Sequence, residues 1–221
     1  MMRAALRVAA FLCVTGVASL FAFPSSAALD ASLASIGSSE SYNEIAPLSN
    51  ITENYKTGYI ALYKRYEATR EDYERIEKKF VEAGIPPYFA LIPYCESKFN
   101  PASKGHGTAG LWQFAAQSGR TYGLCVKKGK DERLDKERST EAAILYIKEL
   151  KQIFGSWYLA DFAYGMGELK LKQLIKNNGS KKISVLLKDP HFPKGTKAHF
   201  AKTLLLDAKI HYSSEPVPTD K

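Results

Sequence analysis

Tyr55, Tyr59, Leu62, Tyr66, Tyr73, Ile76 and Phe80 follow one another at steps of three, four or seven residues. That period fits one face of an α-helix and cannot belong to a strand, whose side chains alternate every two residues. Lys64, Arg65, Glu71, Asp72 and Lys78 fall on the opposite face. The spacing predicts one long amphipathic helix, opened by a capping box at residues 50–53 and ended at Gly84, before Pro86-Pro87. Its tyrosines read as packing residues, because an aromatic stripe at helical spacing ordinarily faces a core.

The rest of the chain continues in the same manner. Pro87 can open a helix over residues 88–98, which Pro93 should bend. Residues 101–107 read as a loop and 110–117 as a short helix. The polar stretch 125–138 reads as an exposed loop. Ser139 is placed to cap a helix carrying Ala143, Ile147, Leu150 and Phe154 on one side, closed by Gly155. Helices are also expected over 157–164, 168–176 and 196–211, the last burying Ala201, Leu205 and Ala208. Strand signals are few and no repeat is present, so the predicted fold class is mainly α.

The first residues differ from this pattern. Arg3 and Arg7 precede an apolar run from Val8 to Phe23, and small residues follow Pro24. This is the form of a cleaved export signal over residues 1–28, with cleavage near Ala27 or Ala28. The run is short for a spanning helix, which takes ~20 apolar residues. Residues 29–48, rich in Ser and Ala, read as a flexible lead-in. One domain over 49–212, with its core about 85–178, and a tail over 213–221 complete the division.

Loss of the signal leaves 29 basic and 23 acidic residues, a net charge of +6. Such a surface favours an anionic partner, and export makes nucleic acid the least suitable one. Cys13 leaves with the signal, so Cys95 and Cys125 remain as an even pair in an oxidising compartment. A disulfide between them is expected, since Cys95 can face the domain body while its helical neighbour Glu96 faces outward. The four histidines lack metal-ligand spacing, and no phosphate-binding loop or Gly-x-Ser-x-Gly elbow occurs. Neither a metal nor a cofactor is expected.

The chemistry-bearing residues gather around Glu96. It stands in Tyr94-Cys95-Glu96-Ser97-Lys98-Phe99-Asn100-Pro101, ahead of Gly107-Thr108-Ala109-Gly110-Leu111-Trp112-Gln113-Phe114 and Ala163-Tyr164-Gly165-Met166-Gly167. A carboxyl can protonate a glycosidic oxygen when an apolar setting favours its neutral form, and the aromatic residues nearby could supply that setting. Hydrolysis by the usual route wants a second carboxylate. The nearest downstream acids, Asp131, Glu132 and Asp135, lie in the polar stretch and read as solvated. One acid suffices if a hydroxyl of the substrate attacks its own anomeric carbon.

These motifs, in this order, resemble the family-1 lytic transglycosylases of the lysozyme-like superfamily, most of all the branch of membrane-bound lytic transglycosylase D. The resemblance runs from about Asn54 to about His211 and also takes in Arg120-x-Tyr122-Gly123-Leu124 and Phe154-Gly155-x-Trp157. It implies a lysozyme-like SLT domain with an N-terminal amphipathic helix, acting on peptidoglycan glycan strands in the periplasm of a Gram-negative bacterium, in association with membrane or wall. The implied reaction cleaves the MurNAc-β-1,4-GlcNAc bond and leaves 1,6-anhydro-MurNAc, with Glu96 first as acid and then as base. By motif position Ser97, Asn100, Trp112, Gln113 and Tyr164 are the implied substrate-side residues, with Trp112 and Phe114 supporting the cleft from beneath. The chain departs from the family where Gly165 stands in place of the usual Asn, which should leave room beside Tyr164, and where Ala115-Ala116 replace Met-Pro. A lysozyme-type hydrolase and a peptidoglycan-binding scaffold with weakened catalysis remain open as alternatives, and protein partners in the wall or divisome are not specified.

Overall fold

In the computed structural model, residues 23–54 and 56–213 are described. The aromatic stripe is buried as its period requires: Tyr59, Tyr63, Tyr66, Tyr73, Ile76 and Phe80 all lie in the core, while Tyr55 is outside the described residues. The single long helix expected there is three: α2 (Ala46–Asn54), α3 (Lys56–Ala68) and α4 (Arg70–Glu82). The break at Thr69 has a local cause. Its backbone leaves helical geometry at φ −130°, and its hydroxyl bonds back to the carbonyl of Arg65 and to the Tyr94 hydroxyl, both at 2.8 Å. The capping box at 50–53 is not used as one, because α2 already begins at Ala46.

Pro93 acts as anticipated, though as a divider rather than a bend. Residues 87–91 form a 3-10 helix, and α5 (Ile92–Ser97) starts with the proline in its first turn, where no backbone donor is missed. A short antiparallel hairpin then replaces the helix expected over 110–117: β1 (Thr108–Ala109) pairs with β2 (Phe114–Ala115), followed by α6 (Ala116–Thr121). The stretch 125–138 is likewise built rather than loose. Strands β3 (Val126–Lys127) and β4 (Lys130–Asp131) pair, a 3-10 turn spans Glu132–Leu134, and Asp135 caps α7 (Lys136–Phe154) by accepting from the Arg138 amide at 2.9 Å. Asp135 thus takes the capping role expected of Ser139, which lies inside the first turn of α7. Asp131 grips Arg133 with both oxygens, and Glu132 accepts from the Cys125 amide at 2.7 Å. These acids brace a turn; they are not a solvated run.

Next come α8 (Trp157–Met166), α9 (Glu168–Asn178) and α10 (Ile183–Leu186), before α11 (Lys194–His211). The apolar surface of α11 is wider than the stripe expected: Phe200, Ala201, Leu204, Leu205, Leu206 and Ala208 are all buried. A helix apolar on most sides belongs at the centre, and α11 touches α2, α3, α5, α8, the 87–91 turn and α1 (Ser26–Ser35). That last contact overturns the flexible lead-in. Leu29, Leu33 and Ile36 are buried, and the Ser32 hydroxyl donates to Asp207 on α11 at 2.6 Å. Helix α1 also crosses the expected cleavage point at Ala27 or Ala28, while most of the expected export signal lies outside the described residues. Among the described residues no helix is long and apolar enough to cross a membrane.

A charged cluster fastens the C-terminal end of α11. His211 Nδ1 lies 2.7 Å from Asp207, and Nε2 lies 2.8 Å from Glu77 on α4. Burial works against the charged ring, yet its bonds to Asp207 and Glu77 raise it from 6.5 to about 9. A raised histidine stabilises the fold fully below its unfolded value near 6.5, and that contribution is lost as pH rises through about 9. The wild type should therefore melt at lower temperature at pH 9.5 than at pH 6.5, whereas His211→Gln should melt lower at pH 6.5 and depend less on pH across that window. Parallel melting curves for the two proteins would contradict this assignment.

Candidate active site

Glu96 occupies the last turn of α5, where the chain must turn sharply away from the core. Lys98 and Phe99 both take left-handed backbone conformations, at φ 55° and 59°, which cost about 1–2 kcal/mol each in a non-glycine residue. Ser97 holds this corner: its hydroxyl donates to the Pro93 carbonyl at 3.1 Å and accepts from the Asn100 amide at 3.2 Å. Asn100 in turn accepts from the Ala102 amide at 3.0 Å, the usual turn chemistry of an Asn side chain. Ser97 and Asn100 therefore shape the corner that projects Glu96 and do not line the cleft. Tyr94 and Phe99 stack on each other, ring centres 4.5 Å apart, in the core beneath it.

Two hollows meet at Glu96. One, of about 340 Å³, is bordered by Thr108, Gln113, Phe114, Tyr146 and Tyr164; the other, of about 350 Å³, by Cys95, Gly195, Thr196, His199 and Lys202. Glu96 and Gly165 border both, and among the described residues Glu96 is the sole carboxylate on either lining.

The glycine-rich loop is held rigidly under the first hollow. Gln113 sits at φ 50°, its amide nitrogen donates to the Gly110 carbonyl at 2.8 Å, and its oxygen accepts from the Thr108 hydroxyl. Gly110, at φ 84°, is required on two counts, because a Cβ there would stand 1.6 Å from the Arg133 carbonyl oxygen. Arg133 completes the brace by donating to the Phe114 carbonyl at 3.0 Å and to the Gly107 carbonyl at 3.3 Å. Trp112 is not a cleft residue. It is 1% exposed, stacks on Phe80 at 5.3 Å, and donates to the Thr140 hydroxyl. Phe114 does border the hollow from a buried position, as expected of a support.

Tyr164 donates its hydroxyl to the Trp112 carbonyl at 2.5 Å, so it ties α8 to the loop while its ring faces the cleft. Burial, with the charge of Glu96 adding, pushes its phenol well above the ordinary range, so it stays neutral. The space expected beside it at Gly165 is already taken: a Cβ there would meet Thr196 Cγ2 at 3.0 Å, and the buried Thr196 would have to shift by a few tenths of an ångström. Tyr146 extends the aromatic wall, 5.6 Å from Tyr164 and 6.1 Å from Phe114 between ring centres.

Behind Glu96 lies a group that no motif announced. His199 of α11 places Nδ1 2.9 Å from Glu96 Oε1 and Nε2 3.1 Å from Asp161 Oδ1. The first contact is close, but the ring N–H does not point along it, so it is an ion pair without an aligned hydrogen bond. Burial opposes charge on the ring; the charge of Asp161, the bond to it, and the Glu96 carboxylate close by nevertheless hold it well above 6.5. The expected disulfide is absent, for both cysteines are free. Cys95 Sγ turns instead toward α11, 3.4 Å from the Thr203 hydroxyl and 3.8 Å from the His199 carbonyl. Cys125 belongs to the turn braced by Glu132. Among the described residues no cluster of His, Cys, Asp and Glu could hold a metal ion.

The helical corner bearing a lone cleft carboxyl, the clamped glycine loop and the Tyr164 strut all fall in one stretch. Residues 75–187, just over half of the chain, match the family described as Transglycosylase SLT domain. The chain belongs to this family. It is 36% identical over 125 residues to the "Membrane-bound lytic murein transglycosylase D" of Escherichia coli K12, covering 56% of this chain and 28% of that protein. The counterpart in Escherichia coli O6:H1 (strain CFT073) matches to the same extent. A third relative, the "Putative tributyltin chloride resistance protein" of Alteromonas sp. (strain M-1), is 33% identical over 96 residues, which are 42% of this chain and 46% of that one. The chain thus spans less than half the length of the curated relatives it matches. In this SLT-domain protein α11 lies beyond the stretch matched by the family, so His199 belongs to a part that the family match does not cover.

Proposed function

We propose that this protein cleaves the MurNAc-β-1,4-GlcNAc bond of peptidoglycan without water, forming 1,6-anhydro-MurNAc. The observation that carries this reading is the lone carboxylate at the junction of two hollows. Glu96 gives its proton to the glycosidic oxygen as the C1–O bond breaks. The 6-hydroxyl of the same MurNAc then attacks C1 and returns its proton to Glu96, which ends as it began. A double-displacement or inverting hydrolase would need a second carboxylate facing the sugar. Asp161 cannot serve, being fully buried and occupied by His199.

The roles of the surrounding residues follow their contacts. Gln113, Thr108 and Tyr164 are read as keeping the sugar-facing loop in place, and Tyr146 and Tyr164 as offering ring faces to the glycan. The net charge of +6 beyond residue 28 suits a carboxylate-bearing wall, and the Arg-flanked apolar run at the start is read as directing export. No cofactor enters the reaction. Mass spectrometry of fragments released from purified peptidoglycan tests the reading: anhydro ends support it. Reducing ends would replace it with lysozyme-type hydrolysis, and binding without release would leave a wall-binding scaffold.

A further inference from the structure

The reaction as written leaves His199 without a part, yet few side chains here are placed so narrowly. Its ring is 7% exposed and lies between carboxylates at both nitrogens. Asp161 is itself fixed on its far side by the Tyr88 hydroxyl at 3.4 Å. The other ionisable groups around the ring are Cys95 on α5 and Lys202 one turn along α11, while Tyr164 on α8 faces its two carboxylate partners, Glu96 and Asp161. Two carboxylates in direct contact outweigh a single lysine at the rim, so the ring is set up to carry a proton on the edge that faces Glu96.

We propose that His199, anchored by Asp161, is a positioning residue that holds the Glu96 carboxyl in the cleft and keeps in reserve the proton that Glu96 delivers. The inference rests on the reading of Glu96 as acid and base. When a glycan displaces water from the cleft, the Glu96 side chain, 2.9 Å away, swings into line with the Nδ1–H, and the proton passes to Oε1. The ring is then neutral and keeps its Nε2–H on Asp161. Glu96 gives that proton to the leaving oxygen, receives one from the 6-hydroxyl, and returns it to Nδ1. No proton is gained or lost over the cycle. In water the proton would stay on imidazole by about two pH units; a drier cleft favours the neutral pair, because desolvation penalises the two charges together.

The test joins turnover to a direct view of the ring. His199→Gln can still donate to Glu96 but can neither ionise nor relay a proton. Its turnover on peptidoglycan should fall at least about tenfold with KM changed less than about twofold, and its basic limb should move to lower pH. In nitrogen-15 spectra of imidazole-labelled protein, the wild-type ring should stay doubly protonated well above pH 6.5, and both Glu96→Gln and Asp161→Asn should lower its titration. Wild-type turnover and pH profile in His199→Gln would overturn the proposal, as would a ring that titrates near 6.5 and ignores Glu96→Gln. If the wild type releases no product, the proposed reaction has failed, and the ring titration alone decides the pairing. If His199→Gln does not fold, the Asp161→Asn profile and the Glu96→Gln titration decide.

Discussion

Glu96→Gln is expected to lower turnover on purified peptidoglycan by at least ~10²-fold, about 2.7 kcal/mol of lost transition-state stabilisation, with melting little changed. The Gln side chain keeps the shape and a hydrogen-bonding end, but it can neither give nor take the proton. Glu96 makes no contact that the core depends on, since its side chain is 26% exposed and its close partner is the His199 ring. The informative control is Asp131→Asn. That substitution weakens the grip on Arg133, and with it the clamp on the Gly107 and Phe114 carbonyls. It should reduce turnover less than Glu96→Gln and lower stability more. Zymography and thermal melts of the two variants side by side would separate these effects. Wild-type-like turnover by the Gln variant would end the single-acid mechanism.

The second large effect is expected at Gly110, and Gly107 provides its internal standard. Both sit at φ 84°, so a Cβ at either meets the same backbone penalty, about 1–2 kcal/mol. They differ in what surrounds them. A Cβ at 107 meets nothing within 4 Å, whereas one at 110 would stand 1.6 Å from the Arg133 carbonyl oxygen and 2.5 Å from its carbon. Backbone cannot rotate out of the way as a side chain can. Gly110→Ala must therefore push the loop away from the 132–134 turn, losing roughly 3 kcal/mol or more and displacing Gln113 from the cleft floor. Gly107→Ala should cost only the backbone term, a few degrees in melting temperature. Equal melting temperatures and equal turnover in the two variants would show that the close approach at Gly110 is not what holds the loop.

Much of the architecture was legible because helices are written locally. The three-to-four-residue period between Tyr55 and Phe80, Gly155 after Phe154, and the run from Trp157 each describe contacts made within a few turns. The location of the cleft was legible too, since α5, the glycine loop and α8 bring Glu96, Gln113 and Tyr164 to one wall. The errors share a cause. Trp112 and Phe114 are neighbours but differ in position: Trp112 is sealed against Phe80 and Thr140, and only Phe114 reaches the hollow. Composition made residues 29–48 look loose, yet α1 is held by Asp207, 175 positions further along the chain.

The sequence by itself therefore determined that the chain is helical, where most helices stop, and which single carboxyl stands at the cleft. Those properties depend on backbone preference and on the spacing of apolar residues over one or two turns. Only the tertiary structure decided that the two thiols remain apart, that Thr196 fills the space at Gly165, and that a buried imidazole stands between Glu96 and Asp161. His199 lies 103 residues beyond Glu96 in a helix whose composition reads as ordinary core. It reaches the carboxyl because α11 is apolar on most of its surface and is drawn through the centre of the domain. Hydrophobic burial sets that path, and burial has no range along the chain.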